Sequence, residues 1–367
     1  MRVLIVNAGS SSLKLRLLDD EDRILADREL ASPAARVDAA ELSAAIEGDF
    51  AGPDVVVHRI VHGGERFRDA VLIDPAVEQA LRELTALAPL HQPKSLAALD
   101  DVARATPGVP VVACFDTAFH ATLPPAAATY AVPVQWRERW GIRRYGFHGL
   151  SHAWVAQRTA AWLGDEREAL RIVSAHLGAG ASLCAIRDGR SVDTTMGFTP
   201  LEGLVMATRS GSVDPGLVLW LQDSAGMSAP ELAAALEHES GLLGLGGSAD
   251  MRTIVERADA GDPAARLALD VYVHRLKAGV AAMAAALGGI DALVFTGGVG
   301  EHSARVRALA AAGLGFLGVE VDTAGNETAT PDADISASGA GVHTLIVAAR
   351  EDLVMAAQAR ALLSPAA

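Results

Sequence analysis

Three short segments gather residues able to handle phosphate. The first is Asn7-Ala-Gly-Ser10-Ser11-Ser12-Leu-Lys14. Its small side chains let backbone N–H groups approach a polyphosphate, the hydroxyls of Ser10 and Ser12 add donors, and Lys14 offers a point charge. The same composition also makes a plain hairpin turn. It is not a P-loop, because GxxxxGK followed by Ser or Thr occurs nowhere in the chain. The second segment is His176-Leu-Gly178-Ala-Gly180-Ala-Ser182, and the third is Thr-Gly-Gly298-Val-Gly300, placed between an apolar run and a helical pattern. A strand running through glycines into a helix suits an anion or nucleotide, although close packing explains one such unit equally well. Three in one chain favour a nucleotide. Isolated cations stand in similar contexts, Arg59 in His-Arg-Ile-Val-His-Gly-Gly-Glu and Arg209 in Thr-Arg-Ser-Gly. Guanidinium suits planar recognition of carboxylate or phosphate. Asp116 ends the apolar run Val-Val-Ala-Cys-Phe, where strand ends meet ligands in α/β folds.

His148 and His152 form an HxxxH pair, but the HExxH base is missing and Gly149 disfavours a regular helix between them. Zinc is not expected. No GxSxG elbow supports a hydrolase triad.

The elements that must position these residues begin with Val3–Val6 and Leu13–Leu18, which flank the first segment as a hairpin. Residues 20–52 read as turns plus a helix, Val55–Val61 as a strand and Ala76–Leu87 as a helix. Val109–Phe115 is a buried strand, followed by a Pro/Ala-rich stretch after Ala118 that suits a domain boundary. Ile172–Ala175 and Leu183–Ile186 flank the second glycine segment and repeat the opening pattern, which suggests a duplicated domain. Arg266–Leu287 is a long helix, Ala292–Phe295 a strand with a helix starting near Glu301, Leu345–Ala348 the last strand and Glu351–Leu363 a closing helix.

The chain has 367 residues, long enough for two cores, and half are hydrophobic while only 4% are aromatic. With 31 Lys and Arg against 45 Asp and Glu, the net charge of −14 argues against nucleic acid and anionic membranes as partners. Any anion site must therefore be built from a few placed cations. Cys114 and Cys184 sit in apolar runs as small core residues. The first apolar run is too short for a signal peptide and no stretch is long enough to span a bilayer, so a cytoplasmic protein is expected.

The motifs at 7–14, 58–65 and 88–91 (Ala-Pro-Leu-His) closely resemble the acetate kinase family. So do Phe-Asp-Thr-Ala-Phe-His at 115–120, Tyr-Gly-Phe-His-Gly at 145–149, Thr-Pro-Leu-Glu-Gly-Leu at 199–204, Thr-Arg-Ser-Gly, Phe-Thr-Gly-Gly-Val-Gly-Glu at 295–301 and Glu351-Asp-Leu. They occur in the family's order along nearly the whole chain. The resemblance implies an α/β fold of duplicated ribonuclease H-like (actin-like ATPase) domains with an interdomain nucleotide cleft. The domains would be 1–118 plus about 352–367, and about 119–351. It implies ATP-dependent phosphorylation of acetate to acetyl phosphate, with Mg2+ (or Mn2+) and a homodimer. Carried over by motif, Arg59 and Arg209 would clamp carboxylate and phosphoryl group, His148 would donate to an equatorial oxygen, and Asp116 would orient the cluster. Asn7 and Glu351 would organise the metal. Ser10, Ser12, Lys14, His176, Gly178, Gly180, Gly298 and Gly300 would hold phosphates and adenosine, with Asp250 and Arg252 near base or ribose. Val61, Leu90, Phe147 and Pro200 would wall the substrate methyl group.

The chemistry agrees with such a set. A carboxylate, with a pKa near about 4, needs no base, so catalysis reduces to aligning and shielding two anions. Some positions depart from the family: Ala179, His302 and Gln92 replace Asn, Ser212 replaces an acidic residue, and the stretch between 20 and 55 is short. Propionate or butyrate as acceptor, a non-metabolic actin-like ATPase and a polyphosphate hydrolase are the competing readings.

Overall fold

The computed structural model describes residues 1–9, 12–31, 38–87, 92–164 and 170–364. Two compact units result: Met1–Ala121 with Phe147–Trp154 and Arg350–Ala367, and Thr122–Gly146 with Val155–Ala349. The expected boundary thus falls a few residues later, at Ala121, and the Phe-His-Gly segment belongs to the first unit.

The first unit is built on β1 (Val3–Ala8), β2 (Ser12–Leu18), β3 (Ile24–Ala31), β4 (Val55–Ile60), β5 (Val71–Leu72) and β6 (Val111–Phe115), in the order β3-β2-β1-β4-β6-β5. β1, β4 and β6 are parallel neighbours, and β2, β3 and β5 run antiparallel to theirs. Alternation in β1 feeds two cores. Val3 and Ile5 meet Val57, Cys114, Leu150, Met355 and Ala359, whereas Leu4 and Val6 meet Leu15, Leu42, Phe50 and Val102. Helices therefore cover both faces: Gly149–Leu163 and Glu351–Leu363 carry residues of one core, Ala39–Glu47 and Gln92–Ala105 residues of the other. Each fully buried Val or Leu contributes about 1.5–3 kcal/mol, which makes a sheet apolar on both sides the stable outcome.

β3 corrects the expectation of turns in 20–52. Only Leu30 of this edge strand is buried, and its charges pair across to β2, Asp27 with Arg16 and Glu29 with Lys14. The helix expected there is present as Ala39–Glu47, capped by Asp38, whose carboxylate accepts from the Ala40 and Glu41 N–H groups.

The second unit is built on β7 (Arg171–Leu177), β8 (Ala181–Arg187), β9 (Arg190–Thr194), β10 (Ala292–Thr296), β11 (Ala333–Asp334) and β12 (His343–Ile346). Its order, read from the other end as β9-β8-β7-β10-β12-β11, is the first sheet's order strand for strand, with the same parallel and antiparallel pairings. The duplication suggested by two glycine-tipped hairpins is thus complete through all six strands. The helix Pro263–Leu287 packs on β8 with Ala268, Leu269, Tyr272, Leu276, Val280 and Met283 buried at helical spacing. It is core of its own unit. A second expectation needs correction: no loop separates β10 from its helix, which starts at Gly297 rather than near Glu301. Among the described residues no helix is long and apolar enough to cross a membrane.

Candidate active site

The parallel arrangement of β1, β4 and β6 brings three polar residues to the C-terminal ends of these strands. Asn7 stands near the end of β1, Arg59 is next to last in β4, and Asp116 follows β6 directly. The Asp116 carboxylate takes two hydrogen bonds from Arg59, from Nε at 2.8 Å and Nη2 at 2.5 Å, while Nη1 donates to Asn7 Oδ1 at 3.1 Å. Glu351, the first residue of its helix, places Oε2 4.0 Å from Arg59 Nε. Burial works to lower the Arg59 pKa, but Asp116 and then Glu351 outweigh it and hold the guanidinium above its ordinary value. Arg59 is a fixed positive charge. Asp116 is only 1% exposed with both oxygens facing Arg59.

Asp116 also seats His148. The Gly149 N–H donates to the Asp116 carbonyl at 2.8 Å, and a Cβ on Gly149 would lie 2.1 Å from that oxygen. Only glycine allows the approach. The helix Gly149–Leu163 therefore begins directly behind His148, whose carbonyl accepts from the His152 N–H at 2.9 Å. This corrects the expectation that Gly149 interrupts a helix: it opens one. His148 itself has φ 55°, a left-handed conformation uncommon for a side chain of its size. Among the described residues no cluster of three or more His, Cys, Asp or Glu forms a metal site.

Phe147 is buried, edge-on to the His62 ring at 5.5 Å, and its carbonyl lies 3.0 Å from His120 Nε2. Val61 is half-buried. Gln92 holds the loop beneath Arg59's strand, accepting from the His62 N–H and donating to the His62 and Leu81 carbonyls. The Ser12 hydroxyl donates to Glu29, which also sits 3.9 Å from Lys14 Nζ. Ser10 and Leu90, with the rest of 88–91, lie outside the described residues.

In the second unit the glycine segments border a cavity of 640 Å³. Gly178, Asp250, Arg252 and Gly298 line it, joined by Tyr272 and His302, whereas His176, Gly180 and Gly300 do not line it. The Gly178 N–H bonds the Gly180 carbonyl at 2.9 Å, so the turn is shorter than the expected 176–182: those end residues belong to β7 and β8. Gly297, at φ 78°, would press a Cβ to 2.9 Å from the Leu177 carbonyl, which explains how the third segment docks on the tip of β7. Glu301 then fixes it, accepting from the Gly297 and Ala349 N–H groups. Asp250 caps the helix Met251–Asp259 and pairs with Arg252 at 3.0 Å. Ala179 lines the cavity with no side-chain donor.

Arg209 donates from Nη1 to the Pro200 carbonyl at 2.6 Å and lies 4.0 Å from Glu237. Burial lowers the Arg209 pKa against the pull of Glu237, and burial likewise raises that of Glu237. Pro200 is buried. Glu237 and Glu29 are partners that motif spacing does not disclose, since each meets its cation only through the fold.

The resemblance noted in the motifs extends through the chain. The sequence model of the acetokinase family matches residues 38–357. An acetate kinase from a Synechococcus strain is 51% identical over 84% of this chain and 76% of its own length. The crystal structure of Porphyromonas gingivalis acetate kinase superposes with a TM-score of 0.89 at 35% identity, covering 99% of this chain and all of that one. A propionate kinase from Francisella tularensis reaches 0.90 at 33% identity, over 97% of this chain and 98% of that one. With the duplicated sheets in place and the Arg59–Asp116–Asn7 cluster assembled from motifs far apart in sequence, the chain belongs to the acetokinase family.

Proposed function

We propose that this chain transfers the γ-phosphoryl group of ATP reversibly to acetate, giving acetyl phosphate and ADP. The observation that carries the mechanism is the bidentate Arg59–Asp116 pair beside Asn7 and Glu351. A carboxylate oxygen of ionised acetate attacks the γ-phosphorus in line. The bond from that phosphorus to the β–γ bridging oxygen breaks, and ADP leaves with the electron pair. No proton moves, so no base is required. Asp116 is accordingly an organiser, because both of its oxygens are engaged by Arg59. Arg59 and Arg209 are the cations for carboxylate and phosphoryl group, and His148 donates to an equatorial oxygen. The 640 Å³ cavity is assigned to the nucleoside, with Gly178 and Gly298 beside phosphate and Asp250 and Arg252 near ribose or base. Val61, Phe147 and Pro200 are assigned to the methyl group.

Asn7 and Glu351 fit a magnesium ion. Both present hard oxygens at the Arg59 cluster, and magnesium takes few protein oxygens, completing its shell with phosphates and water. When bound, the ion neutralises charge on the phosphate oxygens. Manganese suits the same donors. A homodimer is supported by the helix Pro215–Asp223, which buries no residue and exposes Leu217, Leu219 and Trp220. Sedimentation as a monomer would rule it out. The use of ATP as phosphoryl donor supports a cytoplasmic protein.

Hydroxylamine trapping of acyl phosphate, run with acetate, propionate and butyrate and with ATP and GTP, tests the proposal. Greatest kcat/KM on acetate is expected. Greater efficiency on propionate would move the assignment to the longer acid, and phosphate release without acid would refute acyl transfer.

A further inference from the structure

A partly exposed carboxylate with no role assigned above, Glu202, is tied into the loop that carries Pro200. Beyond β9 the chain runs through Thr195–Glu202, and Glu202 folds back on this loop. Its Oε1 takes Arg144 Nη2 at 2.7 Å and its Oε2 accepts the Tyr130 hydroxyl. The Tyr130 oxygen in turn accepts from the Phe198 N–H at 2.9 Å, and Arg144 Nη1 donates to the Thr195 and Met196 carbonyls at 3.1 and 3.0 Å. The Arg144 guanidinium lies 5.5 Å over the Tyr130 ring. A Cβ on Gly197 would stand 1.7 Å from Glu202 Oε2 and 2.1 Å from the Tyr130 oxygen, so the loop is folded tightly around this carboxylate.

Both ends of the loop reach proposed site residues. The Gly197 carbonyl accepts from the Tyr145 and Gly146 N–H groups at 3.1 and 3.3 Å, three and two residues ahead of His148 in the chain. The Pro200 carbonyl accepts from Arg209 Nη1 at 2.6 Å. Charge-assisted bonds such as Arg144–Glu202 are the strong ones, and they fix geometry as well as energy.

We infer that Glu202, through Arg144 and Tyr130, is a positioning residue that sets the loop 195–200 and with it the Pro200 support of Arg209 and the approach to His148. The inference rests on the proposed acyl-phosphate chemistry. Misplacement of about 1 Å can lower rates on the order of 100-fold, and Gln keeps the shape while losing the charge.

The test compares wild type, Glu202→Gln and Tyr130→Phe in the hydroxylamine assay, with KM for ATP and acetate measured separately. Expected is a loss of roughly tenfold or more in kcat for Glu202→Gln and a smaller one for Tyr130→Phe, with KM for ATP within about twofold of wild type. If Glu202→Gln does not fold, Tyr130→Phe decides by the same split. Wild-type kcat in the folded variants, or equal changes in kcat and in KM for ATP, would overturn the role. Absence of acyl phosphate with wild type would instead remove the functional reading on which it rests.

Discussion

Replacing Asp116 by Asn tests whether that carboxylate organises or abstracts. The native side chain is 1% exposed and receives two charge-assisted bonds from Arg59, at 2.8 and 2.5 Å. Asparagine keeps the size but turns an NH2 toward one of the guanidinium donors, so at least one bond is lost along with the charge. Bonds to charged groups are worth about 1.5–3 kcal/mol, and breaking a buried pair from one side costs about 3–5 kcal/mol. Arg59 keeps the Asn7 oxygen and the nearby Glu351 charge, which places the cost near the lower figure. If about 3 kcal/mol of Arg59 positioning is lost from the transition state, turnover falls on the order of 100-fold. Initial rates of acyl-phosphate trapping between pH 5 and 9 measure it. The fall should be the same at every pH, because Arg59 stays protonated throughout and no proton is abstracted. A wild-type limb with a carboxylate-like pKa that disappears in Asp116→Asn would refute the organiser argument, and so would near-native turnover.

Two further outcomes follow from local geometry. Gly149→Ala would push a Cβ to 2.1 Å from the Asp116 carbonyl, so the helix start must retreat. Overpacking of this kind costs about 1–3 kcal/mol, read as a lower Tm, and turnover should fall further than stability alone explains because His148 precedes the displaced residue. A variant with unchanged Tm and rate would contradict the contact. Ala179→Asn returns a donor to the cavity lining, and a bond to phosphate worth about 1.5–3 kcal/mol would lower KM for ATP by roughly ten- to 100-fold. Unchanged KM would show that Ala179 does not face phosphate.

How far the sequence discloses this site depends on the range of the interaction involved. Apolar runs such as Val3–Val6 and Val112–Phe115 announce strands because both faces are buried, and Gly297 and Gly149 mark close backbone approaches. β3 is hidden because an edge strand with one buried residue needs no apolar pattern. Its charges match β2 across the ladder, as Asp27 does Arg16 at a separation of 11 residues, and no spacing rule supplies that partner's identity. The Thr-Gly-Gly-Val-Gly segment misleads for the opposite reason. Three glycines read as loop, since glycine disfavours a helix by about 1 kcal/mol each, yet Glu301 and the tip of β7 hold them helical.

The same contrast separates what touches substrate from what holds it. Arg59, Asp116, His148 and Arg209 stand in short motifs because the chemistry restricts their neighbours: Gly149 must be small for the chain after His148 to meet Asp116, and Gly211 must be small for the Thr-Arg-Ser-Gly turn to fold, its Cβ otherwise 2.4 Å from the Leu204 carbonyl. Glu237 and the Tyr130–Glu202–Arg144 cluster are joined over longer separations. Each pairs across tens of residues on a backbone already shaped by glycines, so chain spacing does not announce the pairing. The supporting carboxylates of a −14 protein are drawn from a large pool of acids, and only the fold selects which of them face a cation.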